Sequence, residues 1–149
     1  METLFDLASY REVLRRVESI QPDSRRQWGK MTVAQMLEHA ARVLEMAAGK
    51  KASKQALLGK MIGWIFWKDF VGPKRFQRNR PSLPDFVVQG EPDFGPTKER
   101  LKTLLGEFHA LGEQGCDAHI HGFFGRMTGA EWGVTQYKHM DHHLRQFGA

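Results

Sequence analysis

The stretch TGAEWGVTQYKHMDHHLRQF (residues 128–147) predicts one amphipathic helix near the end of the chain. Thr128 and Glu131 form a capping-box pattern, in which each side chain satisfies a backbone N–H of the first turn. Apolar residues then recur at helical spacing, and three histidines follow within five positions, His139, His142 and His143. The helical register of this stretch therefore decides which histidines face the core.

His139 and His143 are predicted to face inward, whereas His142 is predicted to face solvent. At about 100° per residue, His143 lies only ~40° from His139, on the side that carries the large apolar residues. Those apolar residues are Trp132, Met140, Leu144 and Phe147. His142 falls on the other side, among the charged residues Glu131, Lys138, Asp141 and Arg145.

A second helix is predicted in TVAQMLEHAARVLEMAA (residues 32–48), and it carries a further histidine. Thr32 and Gln35 form another capping box, and Gly49 ends the helix. His39 lies at the inner edge of the apolar face of this helix, as His139 does on the last one. Glu38 points about 100° away from His39, so it is a poor candidate for a general base there.

The remaining pattern predicts an all-α protein. Helices are expected at residues 9–20, 54–70 and 96–111, and the apolar character of the second of these predicts a well-buried helix. Residues 72–96 contain five prolines and are predicted to form a long loop, as are residues 112–127. No stretch alternates convincingly as a strand. We therefore expect one domain, residues 1–149, folded as an up-down bundle of four helices, with a fifth short helix an option.

Composition narrows the class of protein. The chain has 149 residues with one cysteine, so an internal disulfide is excluded and a cytoplasmic location is expected. The N-terminus lacks the basic start and apolar run of a signal peptide. The longest apolar stretch, MIGWIFW (residues 61–67), is far shorter than the ~20 residues needed to span a bilayer.

His39, His139 and His143 are candidate ligands of a divalent metal. Buried neutral imidazoles need polar partners, and histidines one helical turn apart present two ring nitrogens on one face. Three protein nitrogens leave at least one coordination position open, and nitrogen ligands suit Zn, Ni, Fe or Co. The alternative is a structural one, because a His-x-x-x-His pair is common by chance and histidines stabilise helix C-termini.

KMTVAQMLEHAARVLEMA (residues 30–47) and HGFFGRMTGAEWGVTQYKHMDHHLRQFG (residues 121–148) resemble the DinB-like, YfiT-like superfamily of metalloenzymes. The resemblance covers nearly the whole chain and is closest to a subfamily catalogued only as a domain of unknown function. It implies a four-helix bundle, often homodimeric, with a metal held by His39, His139 and His143. Some members of the superfamily are transferases that use a small cellular thiol as cosubstrate, and others are hydrolases or isomerases. The chain departs from the usual pattern at Gly122, where a proline is common, and at Gly129, where a proline or polar residue is common.

Three further residues could support such a site. His121, Gln136 and Trp132 could orient a ligand or face a substrate. The alternatives are a loop cap for His121, a helix–helix hydrogen bond for Gln136 and a core position for Trp132. Nothing near Cys116 predicts a lowered thiol pKa, and no carboxylate is placed at the site by spacing, so the sequence assigns no catalytic residue.

The net charge of +5 is concentrated in residues 50–80, which hold nine basic residues and one acidic residue. This basic segment could bind nucleic acid or an anionic membrane surface, or attract an anionic small-molecule substrate to the metal site. The simpler interpretation is a buried third helix followed by a solvated loop. The function predicted first is a metal-dependent thiol transferase or hydrolase. The alternatives are a non-enzymatic binding module that uses the basic segment and an inactive dimeric relative.

Overall fold

A computed structural model describes all residues, 1–149, and most of them are helical. The five helices are α1 (Leu7–Ser19), α2 (Val33–Ala47), α3 (Leu57–Val71), α4 (Phe94–Cys116) and α5 (Gly129–Gln146). Two short strands, β1 (Ile120–His121) and β2 (Gly125–Arg126), pair antiparallel just before α5. A single 3-10 turn lies at Pro84–Phe86, in the proline-rich connection between α3 and α4. None of the helices is long and apolar enough to cross a membrane.

The two predicted capping boxes are confirmed. The Thr32 hydroxyl accepts the Gln35 N–H at the start of α2, and Thr128 does the same for Glu131 at the start of α5. In both cases the third-position side chain accepts the backbone N–H of the capping threonine. These caps fix where the two histidine-bearing helices begin, and so fix which turn carries each histidine.

Four helices enclose the main core. Helix α2 makes its most extensive contact with α4, α5 packs on both, and α1 packs on α4 and α5. The largest fully buried side chains in this core include Leu37, Leu44, Leu105, Phe108 and Trp132. Helix α4 bends at Gly112, whose positive φ of 67° lies outside the helical region, so the continuous helix ends at Leu111 as the sequence predicts.

The prediction that the third helix is well buried is wrong. Only Gly59 and Gly63 of α3 are buried. Trp67 and Phe70 are half-buried, and the other large aromatic and aliphatic residues of its first ten positions are mostly exposed. A Cβ at Gly59 would overlap the carbonyl oxygen of Phe123, so the absence of a side chain is what lets the helix lie against the chain there. The apolar residues exposed on the other side are Leu57, Leu58, Met61, Trp64 and Ile65.

Two smaller predictions also fail. Residues 112–127 are not loop alone, because α4 continues to Cys116 and the β1–β2 hairpin follows, with Gly125, the first residue of β2, at a positive φ of 77°. Lys138 is buried rather than solvated, because its ammonium group reaches across to α3. There it donates hydrogen bonds to the carbonyls of Asp69, Phe70 and Gly72, which satisfies the C-terminal end of that helix.

Candidate metal centre

His39, His139 and His143 meet between α2 and α5. One ring nitrogen from each lies within 4.8 Å of the other two, and no carboxylate or thiol belongs to the group. His39 and His143 are buried, whereas His139 is half-buried. The structure thus brings the three predicted side chains together, close enough to bind one metal ion.

His39 is held in one orientation by the connection between α3 and α4. Its Nδ1 lies 2.8 Å from the carbonyl oxygen of Phe86, the last residue of the 3-10 turn. A carbonyl only accepts, so Nδ1 carries the proton and the lone pair is on Nε2. That Nε2 atom faces His139. The protein backbone thus selects the tautomer of His39 that can donate a lone pair into the cluster.

His143 is oriented by a second polar chain. Its Nδ1 lies 2.9 Å from Oε1 of Gln146, and Nε2 of Gln146 donates to the carbonyl of Trp28 at 2.9 Å. Because the Trp28 carbonyl accepts only the amide N–H, it fixes which end of the Gln146 side chain faces His143. His143 therefore carries its proton on Nδ1 and leaves Nε2 as the lone-pair nitrogen, as His39 does.

His139 lacks such support. Its Nδ1 atom is buried and has no hydrogen-bond partner, while its Nε2 lies 3.0 Å from Nε2 of His39. Two nitrogens that bind one ion, each ~2.1 Å from it, lie roughly 3.0–3.4 Å apart. The spacing of His39 and His139 fits that range, and the unpaired Nδ1 is a buried polar atom that the protein itself does not satisfy.

All three imidazoles are neutral at physiological pH. Burial lowers the pKa of His39, and it holds the pKa of His139 and of His143 well below the usual histidine value. The neighbouring rings add to the effect, since protonating one disfavours protonating the next. Neutral imidazoles are the form that binds metals.

His142 lies outside the group, as predicted, but it is not a freely solvated residue. It is half-buried, and its ring meets the indole of Trp28 edge-on at a centroid distance of 5.6 Å. Its position on α5 beside a ligand candidate makes it the matched control for substitutions of His139 and His143.

The three supporting residues predicted from the sequence are all buried near the cluster. His121 stacks at a tilt on Trp132, with ring centroids 5.5 Å apart, and its Nδ1 accepts the backbone N–H groups of Phe123 and Phe124. It therefore caps N–H groups of the hairpin turn, not the carbonyl that a loop cap would suggest. Burial lowers the pKa of His121 to about 4, so the ring is neutral.

Gln136 and Trp132 each bring an unpaired polar atom to this region. Oε1 of Gln136 and Nε1 of Trp132 are buried without a hydrogen-bond partner, and both side chains are at least 99% buried. Together with Nδ1 of His139 they follow one strip of α5, because the spacing of positions 132, 136 and 139 returns to the same helical face. Such unpaired atoms are rare in protein interiors and indicate a place for a polar ligand or water.

Neither Glu38 nor Cys116 belongs to the site. Glu38 forms ion pairs with Arg42 at 2.7 Å and Arg100 at 2.6 Å, on the side of α2 away from His39. Burial raises the pKa of the Cys116 thiol to about 12, so it is not a nucleophile at neutral pH. The cluster thus offers three imidazoles and no carboxylate base, and the Gln136 amide and Trp132 indole lie along the same strip of α5.

Two groups that orient the histidines, the Gln146 side chain and the Phe86 carbonyl, were not predicted from the sequence. Gln146 follows His143 by three positions, a helical spacing that could have suggested the contact. The Phe86 carbonyl had no signal at all, because a backbone group in a loop has no residue-specific pattern.

The comparisons with known proteins establish the family of this chain but not its activity. Neither the curated proteins nor the solved structures include a match to this chain. The wider relationship to DinB-like metalloenzymes stays a prediction from the sequence motifs. The family model described as "Protein of unknown function (DUF1569)" matches residues 2–149, and the chain therefore belongs to the DUF1569 family.

Proposed function

We propose that this protein is a metal-dependent enzyme in which His39, His139 and His143 hold one divalent metal ion. The observation that carries the proposal is the convergence of three neutral ring nitrogens within 4.8 Å. Two of the rings have their tautomer fixed by hydrogen bonds, which is the arrangement that orients histidine ligands in metal sites. The 3.0 Å separation between Nε2 of His39 and Nε2 of His139 fits two ligands of one metal ion.

A bound divalent metal at this site would supply Lewis acidity, which lowers the pKa of water or of a small thiol at an open position, or polarises a substrate carbonyl. Zn, Ni, Fe and Co all suit three nitrogen ligands. Water as the nucleophile gives a hydrolase, and a small cellular thiol as cosubstrate gives a transferase.

The side chains around the site would have two roles, to orient the metal ligands and to bind the substrate. His39 and His143 present Nε2 into the site, held by Phe86 and Gln146. Gln136 can accept a hydrogen bond from a substrate, and Trp132 can donate one, because neither polar atom has a partner within the protein. No carboxylate belongs to the cluster, so the proposal assigns no general base.

The bundle proposed for this chain is the four-helix up-down arrangement of α1, α2, α4 and α5. These are the helices that share the core, and α3 lies outside them. Such bundles build metal sites from side chains on facing helices, as α2 and α5 would here.

The first experiment measures metal content by mass spectrometry on untagged protein. We expect near-stoichiometric metal in the parent and in His142→Ala, and its loss in both His39→Ala and His139→Ala. A parent that is metal-free and cannot be reloaded with Zn, Ni, Fe or Co would exclude the proposed site.

Catalysis needs its own test. The metal-loaded parent, the metal-free parent and His139→Ala would be screened for ester and amide hydrolysis and for transfer of a small thiol to electrophiles. Turnover that requires both the metal and His139 would support an enzyme. Metal binding without turnover in either screen would indicate an inactive member of the family.

A further inference from the structure

Helix α3 presents an apolar face to solvent. Its members are Leu57, Leu58, Met61, Trp64 and Ile65, each more than half exposed. The spacing of these positions places them on one stripe of the helix. Contiguous exposed patches of large apolar side chains are rare on soluble proteins and mark surfaces that bind something.

The inner side of α3 keeps this apolar face turned outward. Gly59 and Gly63 lie against the Phe123 backbone, and Trp67 and Phe70 pack on Phe124 with ring centroids 5.5 and 4.2 Å apart. Rotating the helix to bury the apolar face would remove these contacts. The outward face is therefore a property of the packed structure.

Unpaired lysines surround the apolar face. Lys60 and Lys68 lie on α3 itself, and Lys51, Lys54 and Lys74 flank its two ends. All five are exposed, and none forms an ion pair with a carboxylate. Three other basic residues of the segment do form ion pairs: Lys50 with Glu107, Arg75 with Asp141 and Arg80 with Asp69. Five lysines without a carboxylate partner therefore lie on α3 and at its two ends.

A groove joins the apolar and basic parts of this surface. It has a volume of about 300 Å³, and Trp64 and Trp67 form its apolar side. Lys60, Arg126 and Gln55 supply cationic and amide groups to the same groove. Such a combination suits a phosphate group carried on an apolar tail.

We propose that the apolar face of α3 and its lysines bind an anionic membrane surface, with the helix lying in the plane of the interface. Helix α3 is apolar on most sides, but Trp67 and Phe70 pack its inner side on Phe124, so only the outer stripe is presented to solvent. Tryptophan and aliphatic residues of that stripe can enter the boundary between headgroups and acyl chains while the lysines meet the headgroups. With 15 residues, α3 lies on a bilayer and does not span it. This surface is separate from the histidine cluster and does not depend on metal binding.

The lysines and the apolar residues together favour a lipid surface over a second copy of the chain or nucleic acid. In a symmetric dimer the same face meets itself, which brings Lys60 and Lys68 of both copies together. The acidic residue of α3, Asp69, already pairs with Arg80. Nucleic acid would use the lysines but would leave Leu57, Leu58 and Met61 without a role.

The test is sedimentation of the full chain with vesicles of phosphatidylcholine alone or mixed with phosphatidylserine. We expect binding to the anionic vesicles only, weakened by high salt. The variant Trp64→Ser/Ile65→Ser should bind at least about tenfold more weakly, because two large apolar side chains no longer enter the interface. Lys60→Gln/Lys68→Gln should also lose about tenfold or more.

Matched controls change exposed residues elsewhere. Leu7→Ser/Val87→Ser removes two exposed apolar side chains, and Arg11→Gln/Arg15→Gln removes two exposed charges of α1. Both should bind as the parent does, and circular dichroism should give all variants the same helix content. The proposal is overturned if the parent does not bind anionic vesicles or if the control variants lose as much binding as the α3 variants. It is also overturned if light scattering finds a dimer that Trp64→Ser/Ile65→Ser dissociates while vesicles are ignored, or if only DNA is bound.

Discussion

The Nε2 atoms of His39 and His139 lie 3.0 Å apart, although 100 positions separate the two residues in the chain. Helix α2 brings one of them and α5 the other, and each helix begins at a threonine capping box. The Phe86 carbonyl determines that Nε2 of His39 is the lone-pair atom. The contact therefore depends on three separate parts of the chain.

Removing the support of His143 should weaken metal binding without removing a ligand. In Gln146→Leu the ring of His143 loses its hydrogen-bond acceptor, and loss of such a partner typically costs about 10–100-fold in metal affinity. The measurement is the metal dissociation constant by competition with a chelating dye. Arg145→Gln, at the preceding position, should match the parent. Equal affinity in Gln146→Leu would contradict the role given to this hydrogen bond.

Two glycines of α3 should respond differently to the same substitution. In Gly59→Ala the new Cβ overlaps the Phe123 carbonyl, so the helix must move, at a cost of about 1–3 kcal/mol. In Gly63→Ala the nearest atom is 3.6 Å away, an ordinary contact. There the higher helix propensity of alanine should leave stability unchanged or raise it by up to ~1 kcal/mol.

Urea unfolding would measure the free energy of unfolding of Gly59→Ala and Gly63→Ala, and hydrogen exchange of the α3 amides would measure the local stability of the helix. Faster exchange across α3 in Gly59→Ala, with Gly63→Ala slower than or equal to the parent, is the expected result. Identical exchange in both variants would show that α3 does not depend on the close approach at Gly59.

The metal-free protein should lose stability as the pH falls below the range in which histidine is neutral. Burial lowers the pKa of His121 to about 4 in the folded chain, whereas an unfolded histidine titrates near ~6.5. Between these values the unfolded chain binds the proton more tightly. The stability is therefore complete above about pH 6.5 and is lost as the pH falls toward about 4, at up to ~1.4 kcal/mol per pH unit for one histidine.

His39, His139 and His143 act in the same direction, since burial lowers the pKa of each. Urea unfolding in the presence of a chelator, repeated from pH 7.5 to pH 4.5, would measure the slope. In His121→Gln the slope should be smaller by the contribution of one histidine. An unchanged slope would mean that His121 is accessible to protons in the folded state.

Cys116 should resist alkylation in the folded protein. Its side chain is buried and its pKa is raised to about 12, so almost no thiolate is present at pH 8. We expect no labelling by iodoacetamide until urea unfolds the chain. A Ser82→Cys variant, at an exposed position, provides the positive control for the reagent. Rapid labelling of Cys116 without denaturant would contradict this prediction and show that the thiol is reactive in the folded protein.

Helical periodicity was sufficient to predict that His39, His139 and His143 lie on or near the inner faces of their helices. A helix turns by a fixed angle per residue, so the positions of Trp132, Met140 and Leu144 define the inner face of α5 and place His139 and His143 near it. The capping boxes are equally local, because each involves side chains only three positions apart. These features depend on distances along one helix, and no other part of the chain is needed to derive them.

The packing of α3 and the burial of Lys138 depended on the tertiary structure. Periodicity identifies an apolar stripe but not the direction in which the protein turns it, and at α3 the close contact of Gly59 with Phe123 turns the stripe to solvent. Lys138 is buried because carbonyls at the end of α3 happen to lie within reach of its ammonium group. Likewise, the tautomer of His39 follows from the Phe86 carbonyl. The sequence by itself determined the helices and which histidines face inward, and only tertiary packing decided which surface stays exposed and which ring nitrogens are free, because both depend on contacts between residues far apart in the chain.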